Sequence, residues 1–157
     1  MAEASVITDE MRSFIGQESE PVTIEVDKTA VRMFARAVGY TDLIYYDEEY
    51  AKGKGYRSLP APMGCLGHPI FRPDIPSRPA YVPPFKSPYK RVLNGGTDIE
   101  YYEPICAGDV LTATTKVADL TERTASIGPM LLVTGETTYK NQKGKVVARF
   151  RGVLIQY

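Results

Sequence analysis

DKTAVRMFARAVG, residues 27–39, is the stretch on which the fold turns. Ala30, Val31, Phe34, Ala35 and Val38 recur at helical spacing and form one apolar stripe. Asp27 stands where a carboxylate accepts from the free amides of a first helical turn. Gly39 stands where a left-handed residue closes the last one. Arg32 and Arg36 fall on the wetter side. Buried in full, Val31, Phe34 and Val38 each contribute about 1.5–3 kcal/mol. A helix so patterned is central, and something large wraps it.

Upstream, TDEMRSFI at 8–15 predicts a short helix that Thr8 caps and Gly16 ends. PVTIEVD at 21–27 alternates as a half-buried strand. Downstream, DEEYAKGKG at 47–55 holds one helical turn capped by Asp47, and PMGCLGHPIF at 62–71 reads as a short buried helix or tight turn. Residues 72–90, RPDIPSRPAYVPPFKSPYK, are rich in proline and predict an irregular lid, wrapping arm or interface.

From residue 92 the texture changes to strands. LNGGTDIEYYEPI sets Ile99 and Tyr101 on one face, and VLTATTKVADL sets Leu111, Ala113, Thr115 and Val117 on one face. AGD at 107–109 turns between them. MLLVTGETTYK and KVVARFRGVLIQY follow, joined by a hairpin turn at NQKG, 141–144. One strand, a long helix, an irregular stretch and four antiparallel strands make an α+β protein. Its economical form is an antiparallel sheet wrapped around the central helix, the hot-dog fold.

Bulk properties narrow the function. The chain has 157 residues, with 19 Lys+Arg against 19 Asp+Glu. That fits a single domain over 1–157, and the balance excludes the broad basic footprint of a nucleic-acid binder. No apolar run reaches the length of a membrane span, and the N-terminus lacks the pattern of a signal peptide, so the cytoplasm is the expected compartment. Cys65 and Cys106 read as reduced, buried and structural. Metal spacing is absent, and so are a Walker motif, a dinucleotide fingerprint and a nucleophile elbow.

NGGTDIEYYEPICAGDVLTATTKVADL, followed by MLLVTGETTYKNQKGKVVARFRGVLI, resembles the second half of a MaoC-like dehydratase domain. KTAVRMFARAVGYTDLIYYDEEYAKGKGYRSLPAP resembles the helix, active-site loop and overhanging segment of the N-terminal-type (FAS1-like dehydratase) domain of that family. The resemblance runs over roughly residues 10–157. It implies reversible, (R)-specific hydration of trans-2-enoyl thioesters on coenzyme A or acyl carrier protein, with a carboxylate and a histidine as general base and acid and backbone amides on the carbonyl. No cofactor or metal is expected; acyl-CoA or acyl-ACP enters as substrate.

The family's active loop is approximately G-D-x-N-P-I-H-x-D. Here Gly39, Ile44 and Asp47 keep that frame, but the acid position holds Tyr40 and the histidine position Tyr45. A phenol with a pKa near ~10 is a poor general base at neutral pH. The resemblance therefore implies half of an enoyl-thioester hydratase, shaping the acyl groove while a partner hot-dog unit supplies the Asp/His dyad. The partner is a second, dyad-bearing chain, or another copy in a homodimer. By itself the chain is expected to be weak or inactive.

Tyr40, Tyr45, Pro62, Met63, His68, Asn94 and Gly95 are the candidate substrate-binding residues. Each has a plainer reading. The tyrosines, Tyr46 included, also suit packing at a subunit contact, and Asn94-Gly95-Gly96 also suits a bulge at a strand entry. His68, the one histidine, and Asp42 are the fallback catalytic groups; a structural histidine and a loop or cap aspartate are the alternatives. Two other functions stay open. One is a non-catalytic acyl-CoA-binding or structural subunit. The other is a hot-dog thioesterase using Asp42 or Glu48.

Overall fold

The computed structural model describes residues 5–70, 73–74 and 83–157. Three short helices and six strands follow one another as α1 (Asp9–Ser13), β1 (Val22–Glu25), α2 (Lys28–Ala37), α3 (Glu48–Gly53), β2 (His68–Pro69), β3 (Val92–Tyr101), β4 (Val110–Ala125), β5 (Gly128–Lys140) and β6 (Val146–Gln156). A 3₁₀ turn, Leu43–Tyr45, stands between α2 and α3. The strands form one sheet in the order β2-β1-β4-β5-β6-β3, antiparallel throughout.

The start of α2 is set by Asp27, whose carboxylate accepts from the Ala30 amide at 2.9 Å. Its end is set by Gly39, at φ +80°. Val31 and Ala35 are fully buried. Val31 packs with Ile24, Val26, Leu59, Ile105, Leu111, Ala113 and Val147 in the main core. The expected stripe is only partly realised: Ala30 and Phe34 are half-buried and Val38 is exposed. Val38 is the cap residue, where the chain leaves the helix, so it no longer faces the sheet.

A second core lies further along the sheet, where Val117, Leu120, Leu131 and Val133 bury Met11 of α1. Phe85 and Tyr89 pack against it, with the Phe85 ring 6.1 Å from that of Phe14. The end of the proline-rich segment is thus a strap over core; residues 72 and 75–82 lie outside the described residues.

Two expectations change. PMGCLGHPI, the described part of the 62–71 stretch, is neither helix nor turn throughout: it turns at Met63–Gly64, and His68–Pro69 adds a sixth strand by pairing with Ile24 and Glu25; Phe71 lies outside the described residues. β4 continues past Leu120 to Ala125, opposite Gly128 of β5, because its pairing with β5 runs on as a solvated ribbon beyond the core. The NQKG turn closes as expected: Asn141 Oδ1 accepts from the Lys143 and Lys145 amides at 3.0 Å each.

Candidate functional site

The loop after α2 is held by its own polar residues. Asp42 caps the 3₁₀ turn, accepting from the Ile44 amide at 3.0 Å. Asp47 caps α3, accepting from the Tyr50 amide at 3.0 Å. Both carboxylates do local structural work, which leaves Asp42 a poor choice of base. Glu48, the other thioesterase option, is bound to Lys28, accepts from the Ser58 hydroxyl at 3.1 Å and lies 3.5 Å from Lys52. The Lys28 hydrogen bond, joined by the Ser58 bond and both lysine charges, holds its carboxyl below the usual carboxylate range despite its partial desolvation.

Tyr40 and Tyr45 come together. Their rings stack with centroids 5.6 Å apart. Tyr46 donates its hydroxyl to the Tyr40 carbonyl at 2.6 Å and so ties the two ends of the loop. Burial, with the neighbouring Tyr40, Asp42 and Tyr56, pushes the Tyr45 phenol above its ordinary value. It therefore stays protonated at neutral pH: it can donate a hydrogen bond but not accept a proton as a base.

The overhanging segment is stitched to the 104–109 turn. The Ala61 amide donates to the Ile105 carbonyl at 2.7 Å and the Ala107 amide to the Leu59 carbonyl at 2.8 Å. Pro62 is fully buried beneath the turn that follows, and Met63 is 72% exposed at its tip. The Gly64 amide, in the turn after Pro62, donates to the Tyr101 hydroxyl at 2.8 Å. Burial raises the Tyr101 phenol, against the opposing effect of the Gly64 amide, so this bond persists across the neutral range.

The remaining candidates lie elsewhere. His68 is exposed on β2, at the opposite edge of the sheet from β3. Asn94 and Gly95 lie on β3 at a break in register, and Asn94 Oδ1 accepts from the Gly96 amide at 3.0 Å. A Cβ at Gly95 would stand 2.8 Å from Ile155, so packing against β6 accounts for the glycine. Cys65 and Cys106 are buried and free, and burial raises the Cys65 thiol. Among the described residues no group of His, Cys, Asp or Glu gathers that could hold a metal ion, and no helix is long and apolar enough to cross a membrane.

Sequence reasoning missed the polar knot at Asp109. Its carboxylate is 2% exposed and takes both ends of the Arg57 guanidinium, at 2.8 and 2.9 Å. It also accepts from the Cys106 amide at 2.9 Å. Burial alone would raise this carboxyl; the Arg57 and Cys106 bonds and the Arg57 charge outweigh it, and the net shift is downward. An acid inside an Ile-Cys-Ala-Gly turn was the available signal, but nothing local named its partner.

A sheet of this order, curled over one amphipathic helix with a polar loop closing its end, defines a hot-dog domain of the MaoC-like dehydratase kind. The FAS1-like dehydratase domain region matches residues 13–150, and the chain belongs to that family. It is 32% identical over 110 residues to a UPF0336 protein of Streptomyces avermitilis, covering 69% of this chain and 72% of that one. It is 23% identical over 149 residues to a probable enoyl-CoA hydratase alpha subunit of Thermomonospora curvata, covering 88% of this chain but only 46% of that protein. Among solved structures, the ChsH1-ChsH2 complex of Mycobacterium tuberculosis contains a chain that matches with a TM-score of 0.68 at 15% identity, over 94% of this chain and 91% of that one. The HadBC (3R-hydroxyacyl-ACP dehydratase) complex of the same organism matches at 0.66 and 20% identity, over 90% and 96%.

Proposed function

We propose that this chain is the non-catalytic half of an (R)-specific enoyl-thioester hydratase, and that a second hot-dog chain supplies the acid and base. The observation that carries this is the Tyr40–Tyr45 stack, which fills the two positions where the family resemblance expects a carboxylate and an imidazole. In the reaction, the partner's dyad directs a water hydroxyl to the β-carbon of a trans-2-enoyl thioester and a proton to the α-carbon. This chain contributes the groove wall. Tyr40 and Tyr45 offer ring surface and a hydroxyl donor, with Met63 at the mouth and Pro62 beneath.

Three further points support the reading. Asp42, Asp47 and Glu48 are held in caps and ion pairs, which argues against a base within this loop and against thioesterase chemistry. The Gly64 amide is occupied by Tyr101, so it is not free for a thioester carbonyl. Among the described residues β3 is an open edge of ten residues, exposed along nearly its whole length, whereas the other edge is a two-residue strand ending in Pro69. A long unguarded edge favours pairing with another chain. Two structural neighbours are themselves named as complexes.

Co-expression with a dyad-bearing hot-dog chain tests the proposal. The purified pair should hydrate trans-2-enoyl-CoA, and replacing the partner's histidine by alanine should abolish turnover. A stable pair that binds acyl-CoA without hydrating it would instead make this a binding or structural subunit.

A further inference from the structure

β3 carries a charge pattern as well as an open edge. Asp98 lies opposite Arg151 of β6, Arg151 opposite Glu136 of β5, and Glu136 opposite Lys116 of β4. Directly opposed residues share a face of a sheet. One row therefore crosses the sheet as Lys116, Glu136, Arg151 and Asp98, with the sign of the charge alternating at every step. Beside it, Glu100 lies opposite Arg149. Both rows are on the face turned away from the core. Tyr101, Ala148 and Tyr139, each an odd number of residues away on the same strands, pack into that core.

The rows are closed at one end and open at the other. Lys116 and Glu136 are paired at 3.1 Å. Glu100 accepts from the Tyr102 hydroxyl at 2.6 Å, and the Arg149 guanidinium lies over the Tyr102 ring, 5.9 Å from its centroid. Asp98 and Glu100 are exposed, and neither forms an ion pair among the described residues. A strand added at this edge meets these two carboxylates first. Opposite charges facing each other across a strand pair stabilise it, and like charges destabilise it.

We infer that β3 selects a partner strand bearing lysine or arginine opposite Asp98 and Glu100, and rejects a second copy of this chain. The inference rests on the two-chain reading of the preceding subsection; it adds the chemistry of the partner's edge and excludes the homodimer through β3. The pleat keeps opposed residues on one face, which limits the registers a second copy can take. An antiparallel copy centred on Asp98, Ile99 or Glu100 sets Asp98 against Asp98, Asp98 against Glu100, or Glu100 against Glu100. Centred on Thr97, it runs into the break in register between Asn94 and Gly96 after one residue on either side. A basic strand meets neither obstacle and continues the alternation of the row.

Sedimentation velocity of the purified chain tests this without any turnover. The basic-edged probe is a charge-reversed copy, Asp98→Lys with Glu100→Lys. In low salt the parent and the reversed copy should pair with each other at least about tenfold more tightly than either pairs with itself, and added salt should narrow the difference. A second variant, Asp98→Asn with Glu100→Gln, keeps the side-chain shapes and an acceptor for the Tyr102 hydroxyl but removes the charge. It should associate with itself about tenfold more tightly than the parent does. Both positions are exposed, so the variants should keep the parent's circular dichroism. A parent self-pair as tight as the mixed pair, or a neutral variant that associates no better than the parent, would overturn the inference. The hydratase reading stands or falls separately, on hydration by the reconstituted pair.

Discussion

Tyr45 stands where the family resemblance expects an imidazole, and its phenol is held protonated by burial and by its neighbours. Its loss should therefore be mild. Tyr45→Phe keeps the ring stack and removes only the hydroxyl, so the reconstituted hydratase should keep activity within about threefold. Loss of a true general acid or base costs about 10²–10⁴-fold, and a fall of that size in kcat would contradict the account. Asp109 is the opposite case. Asp109→Asn leaves Arg57 without its bidentate partner and should cost roughly 2–3 kcal/mol in denaturant unfolding. The pH dependence follows from the depressed carboxyl pKa. Its stabilisation is complete above the unfolded value of about 3.9 and is lost as pH falls through the lower folded value. The stability gap between parent and Asp109→Asn should therefore be constant from neutral pH down to about 4 and close below it. A gap that widened with acid would refute the pairing. The sequence reading that sets Tyr40 and Tyr45 at the family's acid and histidine positions rests on the frame kept by Gly39, Ile44 and Asp47. The Arg57–Asp109 knot was not, because its members are 52 residues apart and only the fold joins them.

The elements divide in the same way. Periodicity and caps marked α2 and the β5–β6 hairpin, since both are signals carried within a dozen residues. β2 was missed because His68 and Pro69 have no alternation of their own; they become a strand only by lying against β1. Gly67 makes that approach possible. It has φ +84°, and a Cβ there would stand 2.6 Å from the Glu25 carbonyl oxygen, a backbone atom that cannot swing aside. Gly39 also has a positive φ, yet a Cβ there meets open space. Gly39→Ala should therefore cost about 1 kcal/mol, the conformational term alone, and Gly67→Ala at least about 1–3 kcal/mol more from the clash. Thermal melts of the two variants side by side check this; equal losses would show that β2 moves freely.

At the scale of the molecule, the sheet formed by the described residues has one short edge at β2 and one long open edge at β3. Val92 and Leu93 are 54% and 47% exposed at the start of β3, so charges placed there do not disturb the core. Val92→Lys with Leu93→Lys should leave the melting point of the isolated chain nearly unchanged while weakening assembly with a hot-dog partner, read by light scattering at fixed concentration. Assembly that survives the double variant intact would move the interface off β3. The sheet and its helix were legible as a fold because alternation and amphipathic spacing are written locally. The partner that the proposed function sets against the β3 edge is not written in this chain. The most direct test of the central claim is hydration of a short trans-2-enoyl-CoA by the isolated chain, compared with the same chain mixed with a dyad-bearing partner. The account predicts no turnover alone and clear turnover with the partner. Clear turnover by the isolated chain, lost in His68→Ala or Asp42→Asn, would contradict it.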